Sequence, residues 1–246
     1  MTATIDGGEG GGRTSNPRFN VALLGGFALA YGENTIDIRY RKAEALIAHL
    51  ALSPNLTATR EQAAGLLWGD SPEAQARSSL RQVLRRLRQA LDGFGVPVIE
   101  ISHNSVRLNR DHLNVDVWEL LDSLEQLSPH PAALEQKHPM ETLLAGYEDL
   151  DSALRSWLLV QRQTLHDRVV LNLEAQLFEH GEDADPAWLQ RTKNRAIALQ
   201  NFDPTHERAC RQLMRTAAYE NDISGALRRY KALWDLLDSE YDMEPS

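Results

Sequence analysis

The 246-residue sequence has 26 Lys+Arg against 35 Asp+Glu, a net charge of -9 and 42% hydrophobic residues. That is the balance of a soluble globular chain of about two domains. A single cysteine, Cys210, excludes an intramolecular disulfide and a cysteine metal cage. No apolar run nears the ~20 residues of a membrane span, and the N-terminus lacks a charged-then-apolar signal pattern. The chain therefore reads as cytoplasmic, with no membrane partner and no cofactor.

Residues 1–17 are rich in Gly and small polar residues and read as a disordered tail. Residues 18–113 hold 12 basic and 9 acidic residues, a net of +3, whereas 114–246 hold 13 and 24, a net of -11. The total hides a mildly basic half followed by an acidic one.

Asn20–Leu24, Phe27–Tyr31 and Thr35–Ile38 alternate between glycine-bearing turns and predict a small antiparallel sheet. From Tyr40, helical spacing places Ala43, Leu46, Ile47, Leu50 and Ala51 on one face, up to a stop near Ser53-Pro54-Asn55. Thr59 with Gln62 predicts a capping box for a second helix ending near Trp68-Gly69-Asp70. The third helix has Ser71 as its expected N-cap, Pro72 at its first position and Gly93 at its stop. On it, Ala76, Leu80, Val83, Leu84, Leu87 and Leu91 form one stripe. Beside that stripe run Arg77, Arg81, Arg85 and Arg88, flanked by Ser78, Gln82 and Gln89. Val98–Ile101 and Ser105–Leu108 predict a hairpin, with Asn104 suited to a left-handed turn. Past Val115 only helices are expected: 117–127, 132–144, 152–178, 186–200, 205–220 and 223–241. A break falls at Gly181–Asp185.

The fold class is thus mainly α with small β. A winged helix-turn-helix domain (18–113) precedes an all-α, tetratricopeptide-like helical domain (114–246).

An arginine stripe on a solvated helix has a plain reading as surface charge. Its place on the third helix of a strand, three-helix, hairpin order points instead to the major groove, where Arg bonds guanine in bidentate fashion. The candidate nucleic-acid residues are Arg77, Ser78, Arg81, Gln82, Arg85 and Arg88 on that helix. His103 and Arg107 on the hairpin, and Arg41, Lys42 and Arg60 at helix starts, complete the set. Arg39 opens the first helix with them. Catalytic patterns are poor. No phosphate loop or His-Glu-x-x-His spacing occurs, and the acidic groups Asp149/Asp151 and Glu182/Asp183/Asp185 read as helix caps. Cys210, Trp157, Phe178, Trp188, Phe202, Tyr219, Tyr230 and Trp234 read mostly as core.

Specific residues then carry a family resemblance. They are Arg41-Lys42-Ala43 opening a helix through Leu52, Leu67-Trp68-Gly69-Asp70, Ser79-Leu80-Arg81-Gln82 and Leu87-Arg88-Gln89-Ala90-Leu91. In the second half stand Gly146-Tyr147, Trp157, Phe202-Asp203-Pro204, Leu213-Met214, Gly225-Ala226-Leu227 and Met243-Glu244-Pro245-Ser246. In these the chain resembles the antibiotic-regulatory-protein (SARP) family of bacterial activators, over about residues 19–246. The resemblance implies a winged helix with its third helix in the major groove of double-stranded promoter DNA, and a bacterial transcriptional activation domain. It also implies protomers side by side on direct repeats, forming a homodimer on DNA, and recruitment of RNA polymerase. The turn Trp68, Gly69, Asp70, Ser71 is then in position for polymerase contact. Two features depart from the family. The wing turn is His103-Asn104-Ser105-Val106 rather than a Gly-Gly-Tyr-like turn, and the chain stops at Ser246, where relatives often continue. An interaction module whose winged helix does not bind DNA, and the regulatory part of a larger enzyme, stand as alternatives.

Overall fold

The structure is a computed structural model and describes residues 18–126, 128–177 and 186–245. The tail, the 181–185 break with its acidic cluster, and Phe178 lie outside the described residues.

Strands β1 (Phe19–Ala22), β2 (Ala28–Tyr31) and β3 (Asn34–Thr35) form the antiparallel meander, turned through Gly25 and Gly26 at φ 84° and 129°. A fourth strand, β7 (Leu113–Val115), pairs parallel with β1, so the order is β3-β2-β1-β7. Phe19, Tyr31 and Phe94 pack their rings together, with centroids 4.8 to 5.3 Å apart.

Three helices follow: α1 (Arg41–Leu52), α2 (Arg60–Leu67) and α3 (Glu73–Leu91). The capping box holds. Thr59 Oγ1 accepts the Gln62 N–H at 3.1 Å, and the Gln62 side chain accepts the Thr59 N–H at 2.9 Å. At α3 the cap position falls on Pro72, with no side-chain cap, so Ser71 does not serve as N-cap. Its N–H instead closes the preceding turn on the Trp68 carbonyl at 3.0 Å. Helix α3 gives way at Leu91 to a 3-10 turn, and Gly95, at φ 71°, takes the left-handed stop expected at Gly93.

The hairpin β5 (Ile99–Ile101) and β6 (Ser105–Leu108) gains a third strand, β4 (Thr57–Thr59), in the order β4-β6-β5. Its tip does not use a left-handed Asn104. The Ser102 N–H donates to the Ser105 carbonyl at 2.9 Å, and Ser102 Oγ accepts the Ser105 N–H at 3.0 Å.

The second half holds α4 (Asp116–Glu125), α5 (Pro131–Glu135), α6 (Ser152–Leu177), α7 (Pro186–Phe202), α8 (Glu207–Tyr219) and α9 (Ile223–Tyr241). The helix expected over 132–144 is broken. Gln136 is extended, His138 is left-handed at φ 49°, and Pro139 opens a separate 3-10 turn. Proline has no N–H to continue a helix and pushes its predecessor out of the helical region. Helices α6 to α9 pack consecutively as hairpins. Cys210 is fully buried with Leu233 and Leu237 between α8 and α9, a small core residue as expected. Tyr219, Tyr230 and Trp234 differ from expectation. All three are exposed, Tyr219 at the C-terminal end of α8 and Tyr230 and Trp234 on α9.

The halves share one core, with α2 packed on α6. Asp116 at the start of α4 accepts the N–H groups of Leu23 and Leu24 at 2.9 to 3.0 Å. Burial raises its pKa against those bonds.

Candidate nucleic-acid interface

Helix α3 sorts its residues by face. Ala76, Leu80, Val83, Leu84, Leu87 and Leu91 are all buried, and this side packs on α1 and α2. Arg77, Arg81, Gln82, Arg85 and Arg88 are exposed, with Ser78 at the margin. Among the described residues, Arg81, Arg85 and Arg88 take part in no ion pair, and Arg77 pairs only with Glu73 one turn earlier on the same helix. Among the described residues, no carboxylate of the acidic half pairs with the stripe. Arg86, which the sequence stripe did not include, stacks its guanidinium over Tyr40 at 4.9 Å and so braces α3 against the start of α1.

Two further candidates join this face. A concavity beside α3 is lined by Arg60, Arg81, Arg85, Arg88 and His103, and its neighbour by Arg60, Arg77, Arg81, His103 and Asn104. Arg60 holds the hairpin tip in place, since its N–H donates to the Asn104 carbonyl at 2.9 Å. Its Nε is buried without a hydrogen-bond partner among the described residues. His103 Nδ1 lies 2.6 Å from Asn104 Oδ1, on the exposed tip. Helix start, hairpin tip and arginine stripe thus form one mainly cationic surface, which also carries Glu61 and Asp92.

Three expected residues are elsewhere. Arg41 bonds Asp149 at 2.7 and 3.2 Å and the Gly146 carbonyl, and sits over the Tyr147 ring at 5.2 Å. That bond holds the exposed Asp149 carboxyl below its usual range. Lys42 is half-buried. It donates to the Leu67 carbonyl and lies over Trp68 at 5.0 Å, and burial lowers its pKa. Arg41 therefore serves the contact with the helical half, and Lys42 ties α1 to the end of α2. Arg107 points outward from β6 but into a different concavity, shared with Arg110 and Arg168. Alternation along the strand, with Val106 and Leu108 buried, fixes that direction.

The turn after α2 is docked rather than free. Trp68 is only 7% exposed. A Cβ on Gly69 would lie 2.8 Å from the Gly65 carbonyl oxygen and 3.3 Å from Ala153 of α6. Asp70 accepts the Ser152 hydroxyl at 3.0 Å. The exposed part of the turn is Gly69 and Asp70, with Ser71 half-buried. Nearby, Asp151 caps α6 by accepting the Ala153 N–H at 3.1 Å. Among the described residues no group of three or more His, Cys, Asp or Glu is placed to hold a metal ion.

Comparison with known proteins fits this architecture. Residues 142–246 match the family described as bacterial transcriptional activator domain. A solved structure of Mycobacterium tuberculosis EmbR, in complex with a low-affinity phosphopeptide, shares the fold with a TM-score of 0.61 at 17% identity. The match covers 94% of this chain and 62% of EmbR, so the chain spans less than two thirds of that protein's length. No curated protein sequence matches the chain. The domain match thus falls on the helical half, and the likeness to EmbR is one of fold.

Proposed function

We propose that the chain is a sequence-specific DNA-binding activator. In this reading α3 enters the major groove of promoter DNA, and the helical half serves recruitment of RNA polymerase. The observation that carries it is the stripe of Arg81, Arg85 and Arg88, exposed and, among the described residues, without ion pairs, on a helix whose opposite face is buried. A helix fits the major groove, and bidentate Arg–guanine pairs discriminate by about 1–3 kcal/mol each. Gln82 reads adenine or phosphate, while Arg77 and Ser78 meet backbone at the start of the helix. Arg60 and His103 take phosphates on the flank, where contacts position rather than specify. The exposed edge of the turn, Gly69 and Asp70 with the half-buried Ser71, is the surface offered to polymerase. Protomers bind side by side on direct repeats. No step requires catalysis or a cofactor, and the site of action is the cytoplasm.

Selection of bound sequences from a random duplex pool tests this reading. A recovered motif with a repeated half-site, lost when Arg81→Ala is combined with Arg85→Ala, is the expected result. Recovery of no motif at low salt would leave the protein-interaction module as the better account.

A further inference from the structure

The cavity that takes Arg107 lies away from the stripe, between the hairpin and the helical half. Arg107 comes from β6, Arg110 from the turn after it, and Arg168 from α6, with Trp118 of α4 forming a wall. The space is about 490 Å³. Arg110 is held in place, its guanidinium 4.8 Å from the Trp118 ring centroid, and Trp118 Nε1–H donates to the Ala51 carbonyl at 3.0 Å. Among the described residues, none of the three guanidinium groups has an ion pair. The one carboxylate on the wall, Asp122, bonds none of them. Ser53, Asn55 and Gln161 add neutral polar groups, and Leu108, Leu121 and Leu165 close the rest with apolar surface.

Three guanidinium groups against the one carboxylate of Asp122 leave the cleft net positive, and a net positive cleft with apolar walls concentrates its field on an anion. Guanidinium groups are also the side chains best matched to phosphate oxygens. We propose that this cavity binds the phosphate or pyrophosphate group of a small molecule. Two of its arginines belong to the winged half and the third to the helical half, so the bound anion bridges the two halves. The site is separate from the α3 face, and the inference does not depend on DNA reading.

The test is titration of the whole chain with sodium pyrophosphate at constant ionic strength, by calorimetry and by the NMR signal of the Trp118 indole N–H. One saturable site is expected, with the Trp118 signal moving in step. Arg168→Ala and Arg110→Ala should each weaken binding about tenfold or more, Arg168→Lys should weaken it less, and Arg88→Ala should leave it unchanged. All these side chains are exposed. A thermal melt of each variant then separates lost binding from lost folding. A non-saturating response, a stationary Trp118 signal, or equal loss in Arg88→Ala would overturn the proposal. Displacement of pyrophosphate by duplex DNA, with the Trp118 signal shifting in the same way, would assign the cavity to backbone phosphate and overturn it as a small-molecule site.

Discussion

His49 shows what a single buried polar atom does at the seam between the halves. Its ring meets Trp157 of α6 edge-on, with centroids 5.1 Å apart, and its Nδ1 is buried without a hydrogen-bond partner among the described residues. Burial pushes its pKa down from 6.5 to about 4. As pH falls, the unfolded chain takes up the proton first. The stability from neutral His49 is therefore complete above about pH 6.5 and drains away towards pH 4, a loss of up to about 3 kcal/mol. Thermal melts across that window should slope more steeply for the natural chain than for His49→Gln, and parallel curves would refute the assignment. At the same scale, Thr59→Ala removes a two-way cap and should cost about 1 kcal/mol in urea unfolding. The Thr59 box was legible because its partners are local, three residues apart. The roles of Arg41, Lys42 and His49 were not, because Asp149, Leu67 and Trp157 reach them only through the fold.

Helix α3 was the most legible element, since every apolar residue its periodicity selects is buried. The two faces predict opposite phenotypes. Leu87→Ala, at a fully buried position, should cost about 2–5 kcal/mol of stability. Arg88→Ala, one residue on, should change stability by less than about 0.5 kcal/mol and act on DNA affinity alone. Chemical unfolding of both variants checks the contrast, and a Leu87→Ala protein as stable as its parent would show the face assignment to be wrong. Elements that depend on distant partners were missed. Strands β4 and β7 are three residues each, too short for an alternating pattern, and exist only through pairing with β6 and β1. The 132–144 segment misled because its apolar spacing outweighed Pro139, whose backbone constraint splits it.

Across the whole molecule, the charge asymmetry takes a definite form. The basic surface of α3 and the hairpin tip faces outward, while the acidic half meets the other side of the winged domain through Arg41–Asp149 and the docked Trp68 turn. Gly69 is hemmed in by the Gly65 carbonyl of the preceding helix and, across that seam, by Ala153 and Asp151. Gly69→Ala should destabilise the chain by about 1–3 kcal/mol, because the added carbon meets backbone that cannot swing aside. Equal stability of Gly69→Ala in urea would show that the seam is looser than this geometry. This close approach was not legible in the sequence, which showed only a glycine in a turn. DNA reading by this molecule requires an arginine face free to enter a groove. Its most direct test is the salt dependence of duplex affinity for the natural chain and for Arg81→Ala with Arg85→Ala. A linear fall of log affinity with log salt is predicted, with the double variant binding at least about tenfold more weakly and, for each of the two arginines that meets a phosphate, a slope shallower by about one. Identical affinity and slope for the two proteins would contradict it.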